Sequence, residues 1–260
     1  MTVDPRARSG FGSSAGAYER GRPPYPAAAV EEVARALGVG KAGTVLDLAA
    51  GTGKLTRVLA PLAGRVVAVD PSEGMLAELR RLLPEVVVLE GTAESIPTED
   101  AAFDAVFVGE AFHWFQVDAA CREIARVLRP SGGLALLWNR PHWSMPWLEQ
   151  FDELMKPYLE AAGPFPAGGD SWRESLEQCG LFSPLRHREV EHTQHLAPDD
   201  FIVFISSWSW VANLAEEERT SLLEEVRALI GEDELALDYR TQIFCARRSA
   251  AGPADRARPA

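Results

Sequence analysis

The sequence predicts an α/β fold, a doubly wound and mostly parallel sheet, on three observations. First, short apolar runs bounded by turn residues recur near 44–48, 65–69, 86–89, 103–108 and 133–138, with helical patterns between them. Strands that alternate with helices make a parallel sheet covered on both faces, because each crossover carries the chain back across the sheet. Second, the run Val45-Leu46-Asp47-Leu48 enters the small-residue turn Ala49-Ala50-Gly51-Thr52-Gly53 and then the helical pattern Leu55, Val58, Leu59, Leu62. A strand, a glycine turn and a helix start present backbone N–H groups to a ligand at the carboxyl edge of such a sheet. Third, the next run, Val66-Val67-Ala68-Val69, ends on another acid, Asp70. Two consecutive strands carrying carboxylates, with glycines between them, describe a pocket for an adenosine-containing cofactor with ribose hydroxyls.

Departures from the dinucleotide fingerprint decide between cofactors. A dinucleotide site needs Gly-x-Gly-x-x-Gly, whose third glycine lets helix and strand approach closely. Here Gly51-x-Gly53 is followed by Thr56. Asp47 also stands at the mouth of the turn, where it would repel a pyrophosphate. S-adenosylmethionine carries an ammonium and a sulfonium and no phosphate, so it suits this turn better than NAD. An NAD-dependent oxidoreductase remains the rival enzyme class.

The segment from Asp47 to Gly53 resembles the first motif of the class I S-adenosylmethionine-dependent methyltransferases, Asp/Glu-x-Gly/Ala-x-Gly-x-Gly. Further matches follow in order. Asp70 falls where that family places the acid that binds both ribose hydroxyls. Glu90-Gly91-Thr92-Ala93-Glu94 resembles the third-strand motif, Phe103 to Val108 the fourth strand, and Leu128-Arg129-Pro130-Ser131-Gly132-Gly133-Leu134 the turn into the fifth. Ahead of them, Tyr18, Arg22, Pro23, Tyr25 and Pro26 fit a Tyr-x-x-x-Arg-Pro-x-Tyr-Pro element of the type 11, trans-aconitate-methyltransferase-like subgroup. The resemblance implies a Rossmann-like sheet of seven strands, with an antiparallel last strand, Leu235 to Arg247, inserted between the fifth and sixth.

That frame divides the chain into five parts. Residues 1–26 are a tail and a strap over the cofactor site, and 27–140 are the cofactor-binding core, opening with an amphipathic helix from about Ala27 to Leu37. Residues 141–183 are a helical insertion capping the carboxyl edge, with a helix through Leu159 and another from Ser171 to Gln178. Residues 184–248 complete the sheet and the acceptor pocket: a sixth strand from Leu185 to Leu196, helices from Phe201 to Leu214 and Glu216 to Ile230, and the last strand. The Ala-, Pro- and Arg-rich residues 249–260 read as a disordered tail.

Composition fits a cytoplasmic enzyme. The chain has 260 residues, 47% of them hydrophobic, enough for a buried core. No apolar run reaches the length of a membrane span, and Met1 to Arg8 lacks the apolar stretch of a signal peptide. The net charge of −12, with no offsetting basic stripe, disfavours a nucleic-acid partner. Cys121, Cys179 and Cys245 are scattered and lack metal-ligand spacing, so reduced thiols and no metal are expected. The expected partner is a small-molecule acceptor, and the expected assembly a monomer or homodimer.

Cofactor contacts follow by residue type. Ala49, Gly51 and Gly53 let the backbone approach the ligand, and Asp47 attracts its ammonium. Asp70 offers two oxygens to two vicinal hydroxyls. Met75 packs on the adenine face or in the core, and Ala93 and Glu94 frame the adenine from the other side. Glu110-Ala111-Phe112-His113-Trp114-Phe115 follows the fourth strand, at the ligand-facing edge. Relatives of the subgroup carry a similar run beginning with Gln, so Glu110 alters the charge near the sulfonium. His113 is the candidate catalytic residue, as a general base or as an anchor of the loop.

Methyl transfer needs few catalytic groups, because the sulfonium is already an activated electrophile and positioning supplies much of the acceleration. A carboxylate or phenolate needs little or no deprotonation, so O-methylation of an acid or phenol is the favoured reading, with N- or C-methylation open. Tyr18, Arg22, Tyr25, His113, Trp114, Trp143 and Trp208 are the candidate acceptor residues. A protein that binds the cofactor without turnover is the rival from outside the enzymes.

Overall fold

A computed structural model describes residues 19–162 and 171–249. Its strands are β1 Thr44–Leu48, β2 Arg65–Asp70, β3 Val87–Glu90, β4 Phe103–Gly109, β5 Leu128–Pro141, β6 Arg186–Leu196 and β7 Leu235–Arg247. They form one sheet in the order β3-β2-β1-β4-β5-β7-β6. The pairs from β3 to β5 are parallel, while β7 runs antiparallel to both β5 and β6. This is the predicted Rossmann-like topology, with the antiparallel last strand between the fifth and the sixth.

Around the sheet lie α1 Ala27–Ala36, α2 Lys54–Leu59, α3 Glu73–Leu82, α4 Val117–Val127, α5 Leu148–Ala162, α6 Ser171–Gln178, α7 Pro198–Ser206, α8 Ser209–Ala212 and α9 Glu216–Ile230. Local chemistry explains several ends. The Ser72 side chain caps α3 by accepting from Met75 N, with Glu73 in its first turn and Arg80 and Arg81 in its last, each charge opposing the nearer pole of the helix dipole. Helix α2 starts on Gly53 at φ 89°, a left-handed conformation, and a Cβ there would lie 2.9 Å from Leu79 Cγ. The tight turn therefore requires glycine at this position.

Alternating strand residues fill two cores, as the pleat requires. Leu46, Val67, Val106, Leu134 and Trp138 face Phe112 and Ile124 on one side. On the other, Val45, Val66, Phe107, Ala135 and Leu137 face Val30 and Val33 of α1 and Leu55 and Leu59 of α2. A third cluster joins Phe151 and Met155 of α5 to Phe201, Phe204, Val226 and Tyr239. Residues 141–183 therefore go to two places: α5 packs with the C-terminal helices, whereas Trp172 and Leu176 of α6 pack on the main sheet.

Two local details differ from the sequence reading. Pairing to β4 begins at Leu128, ahead of the Arg-Pro-Ser-Gly turn, and a register shift between Phe103 and Ala105 absorbs that turn. The helix expected over Phe201 to Leu214 starts earlier, at Pro198, and breaks after Ser206. Pro suits a first helical turn. At the break the Ser207 hydroxyl donates to Phe204 O at 2.6 Å, and Trp208 adopts extended ψ 130°. A side chain competing for a backbone carbonyl ends the helix there.

Candidate active site

The chain leaves β1 toward β2 on one side and β4 toward β5 on the other, which opens a crevice at their carboxyl ends. A cavity of about 250 Å³ occupies it. Asp47, Ala49, Gly51 and Glu110 line it together with Arg22, Tyr25, Arg140, Phe204, Trp208 and Tyr239. Two non-glycine residues of this lining hold left-handed backbone, Ala49 at φ 60° and Glu110 at φ 56°. Each such residue costs on the order of 1–3 kcal/mol, and strain of this kind gathers at ligand sites.

Asp47 is fully buried. Its Oδ2 accepts from Thr56 Oγ1 at 2.5 Å, while Oδ1 has no partner among the described residues. Burial, reinforced by the Asp70 charge, pushes its pKa up to about 7 against the opposing Thr56 hydrogen bonds. An unpartnered buried carboxylate oxygen at the mouth of the glycine turn is a ready receptor for an ammonium. Asp70 Oδ2 accepts from Gly51 N at 2.9 Å and Oδ1 from Ser72 N at 2.8 Å. Each oxygen keeps a second lone pair, so the carboxylate can both hold the glycine turn and receive two ribose hydroxyls. Burial raises its pKa while those two backbone donors hold it down.

Glu110 is half-buried and its carboxyl is raised by desolvation, with Asn139 N–H, Arg22 and Arg140 acting in opposition. Its Oε1 accepts from Asn139 N, tying the end of β4 to β5. His113 lies in a single 3₁₀ turn, Phe112–Trp114. Its Nδ1 accepts from Trp138 Nε1 at 3.3 Å, and burial followed by the Arg140 charge lowers its pKa to about 4. A neutral ring whose Nδ1 lone pair is engaged carries its proton on Nε2.

Residues 19–25 run beside the cavity, into whose lining Arg22, Pro23 and Tyr25 project, and are held by several hydrogen bonds. Glu19 accepts from Thr52 Oγ1 at 2.6 Å and from Arg57 Nη2 at 2.8 Å, and Lys54 Nζ donates to its carbonyl at 2.5 Å. Further along, Gln194 Nε2 donates to Gly21 O at 3.2 Å, Asn139 Nδ2 to Pro24 O at 3.4 Å, and Arg22 Nη2 to Ser207 O at 3.4 Å.

Of the residues singled out in the sequence, Asp47, Ala49, Gly51, Glu110, Arg22, Tyr25 and Trp208 meet in this cavity. Gly53 and Asp70 shape the turn beside it. Met75 is buried, and Ala93 belongs to the core. Glu94 Oε1 accepts from Gln116 N at 2.9 Å, at the start of α4. His113, Trp114 and Trp143 are not among the lining residues. Trp143 packs on Phe151, Phe201, Phe204 and Tyr239. Tyr18 lies outside the described residues. Sequence reasoning missed Lys54, Asn139, Arg140, Phe204 and Tyr239. Lys54 had a local clue, as the residue following the glycine turn, whereas Tyr239 enters only through its pairing opposite Pro141 across β5 and β7.

Comparison with known proteins agrees with this geometry. Residues 46–136 match the family described as "Methyltransferase domain". An uncharacterized methyltransferase of Mycobacterium tuberculosis is 40% identical over 249 residues, covering 93% of this chain and 97% of its own length. An uncharacterized methyltransferase-like protein of Schizosaccharomyces pombe is 32% identical over 242 residues, covering 90% and 93%. Among solved structures, a candidate type II methyltransferase from Anaeromyxobacter dehalogenans superimposes with TM-score 0.66 at 27% identity, covering 87% of this chain and 97% of that one. The chain belongs to the methyltransferase family. Its fold and family imply S-adenosylmethionine as cofactor, and the orphaned Asp47 oxygen, the Asp70 carboxylate and the glycine turn fit that group. The rival oxidoreductase reading is set aside.

Proposed function

We propose that the protein transfers a methyl group to an oxygen of a small anionic acceptor, a carboxylate or a phenolate. The observation that carries this reading is the lining of the cavity, which brings the guanidiniums of Arg22 and Arg140 and the rings of Phe204, Trp208 and Tyr239 together with the carboxylates Asp47 and Glu110. The cofactor supplies a methyl group already activated on a sulfonium. Asp47 and Asp70 would hold its ammonium and ribose. Phe204, Trp208 and Tyr239 would supply apolar surface to the acceptor's body, while Arg22 and Arg140 would balance an anionic oxygen. The buried Tyr239 hydroxyl lies beside the Trp143 indole N–H, and burial raises its pKa.

Release of S-adenosylhomocysteine is the readout, with a panel of aromatic and aliphatic carboxylic acids, phenols and amines as acceptors. Acids or phenols are expected to support turnover. Turnover with amines alone would overturn the assignment of the acceptor atom. Binding of S-adenosylhomocysteine with no turnover across the panel would favour the cofactor-binding protein without catalysis.

His113 is expected to anchor the loop rather than act as base, because its basic nitrogen already accepts from Trp138. With its pKa near 4 it stays neutral through the physiological range. His113→Asn should weaken cofactor binding or stability and leave the pH profile of residual turnover unchanged. A turnover loss beyond about a hundredfold at unchanged cofactor affinity, the scale of general-base catalysis, would reverse the role.

A further inference from the structure

Among the described residues, five cavity-lining side chains other than arginine can exchange a proton: Asp47, Glu110, Lys54, Tyr25 and Tyr239. On the reading above, Asp47 is taken by the cofactor ammonium. Lys54 Nζ donates to Glu19 O at 2.5 Å and pairs with Glu19 Oε1 at 3.9 Å. A tyrosine hydroxyl keeps its proton near neutrality, and burial pushes that of Tyr239 further up. Glu110 remains, and its placement sets it apart. Its backbone is held at φ 56°, in the left-handed region that favours glycine. Two hydrogen bonds clamp it to β5: Glu110 N donates to Leu137 O at 2.9 Å, and Asn139 N donates to Glu110 Oε1. With Oε1 so engaged, Oε2 is left to a ligand.

We propose that Glu110 is a catalytic base and that the acceptor is a phenol that arrives protonated. The inference rests on the O-methyl reading and chooses within it. The phenol O–H proton passes to Glu110 Oε2 as the phenol oxygen bonds to the methyl carbon. The carbon–sulfur bond breaks, and its electron pair stays on sulfur. The products are a methyl ether, S-adenosylhomocysteine and a protonated Glu110, which then returns its proton to solvent.

Charge selects a phenol over a carboxylic acid. Arg22 and Arg140 share the lining with Glu110, and their charges act on its carboxyl. Proton transfer moves one negative charge from Glu110 to the acceptor oxygen and leaves the total in the cavity unchanged. A carboxylic acid, ionised at neutral pH, would add a further anion beside Glu110, which like-charge repulsion opposes. Phe204, Trp208 and Tyr239 supply apolar surface suited to an aromatic body. Burial moves the Glu110 carboxyl upward, toward a phenol, and so strengthens it as a base. Asn139 N–H and the two arginines limit that rise and keep the carboxylate form available.

Proton counting tests this without turnover. Calorimetry at about pH 8, in two buffers of different ionisation enthalpy, follows 4-nitrophenol, ionised at that pH, as it binds the protein saturated with S-adenosylhomocysteine. Uptake of about one proton per ligand is expected, because the phenolate and Glu110 come to share one. Glu110→Gln should take up none. In turnover, Glu110→Gln should lose about a hundredfold with unsubstituted phenol, the scale of general-base catalysis, and less than about threefold with 4-nitrophenol, which needs no base. Glutamine keeps an acceptor for Asn139 N, and the wild-type proton count needs no variant at all. No proton uptake by the wild-type protein, or equal losses with both phenols, would overturn the proposal. Methylation of carboxylic acids and of no phenol would also overturn it while leaving the O-methyl reading standing. Methylation of amines alone would sink both.

Discussion

Asp70→Ala is expected to weaken S-adenosylhomocysteine binding by about 3 kcal/mol, roughly a hundredfold, with the fold retained. Part of that loss is the charge-assisted contact to the ribose hydroxyls. The rest comes from the glycine turn, because Asp70 also accepts from Gly51 N and Ser72 N. Alanine leaves both N–H groups without their carboxylate and lets the turn relax away from the shape that receives the ligand. Asp70→Asn keeps one carbonyl acceptor and should lose less. Titration calorimetry on proteins with matched circular dichroism measures both variants. An unchanged dissociation constant for Asp70→Ala would show that the ribose lies elsewhere.

How much was legible in the sequence depends on how local the cause is. The strands from β1 to β5 announce themselves because each is a short apolar run. Even β3, an edge strand whose Val87 is 37% exposed, keeps that mark. The glycine turn and the two acids were equally legible, since left-handed backbone at Gly53 and buried carboxylates at fixed strand positions are written locally. The rest of the cavity lining was not. Tyr239 reaches the cavity because β7 lies against β5 in antiparallel register, and Phe204 because α7 packs beneath the strap, where a Cβ on Gly21 would fall 2.3 Å from Phe204 Cα. Both are consequences of pairings between distant segments. The place of β7 in the sheet came from the family resemblance, as no residue in Leu235 to Arg247 specifies its neighbours. The break at Ser207 was missed for a different reason: the apolar pattern continues through Trp208 to Val211, and one hydroxyl turning back onto Phe204 O outweighs it.

Cofactor affinity should depend on pH through Asp47. In the ligand-free protein its pKa is raised to about 7, chiefly by burial, so below neutrality the side chain takes up a proton that an incoming ammonium must displace. Affinity for S-adenosylhomocysteine is therefore expected to rise from pH 5.5 to pH 7 by about fifteenfold, since the proton released per ligand bound falls from one to one half as pH approaches that pKa. Above about pH 8 it should fall again as the ligand's own α-amino group loses its charge. The same shift has an opposite sign for the stability of the free protein. A carboxyl raised on folding favours the folded state below its unfolded value of 3.8, and that contribution is lost as pH rises through about 7. The thermal shift produced by the ligand should thus be larger at pH 7.5 than at pH 5.5. Asp47→Asn keeps an acceptor for Thr56 and removes the titration, so it should abolish the acid limb while leaving the alkaline one. Calorimetry between pH 5.5 and 8.5 on both proteins checks this. An acid limb that survives in Asp47→Asn would assign it to another group, for which the raised carboxyl of Glu110 in the cavity lining is the candidate.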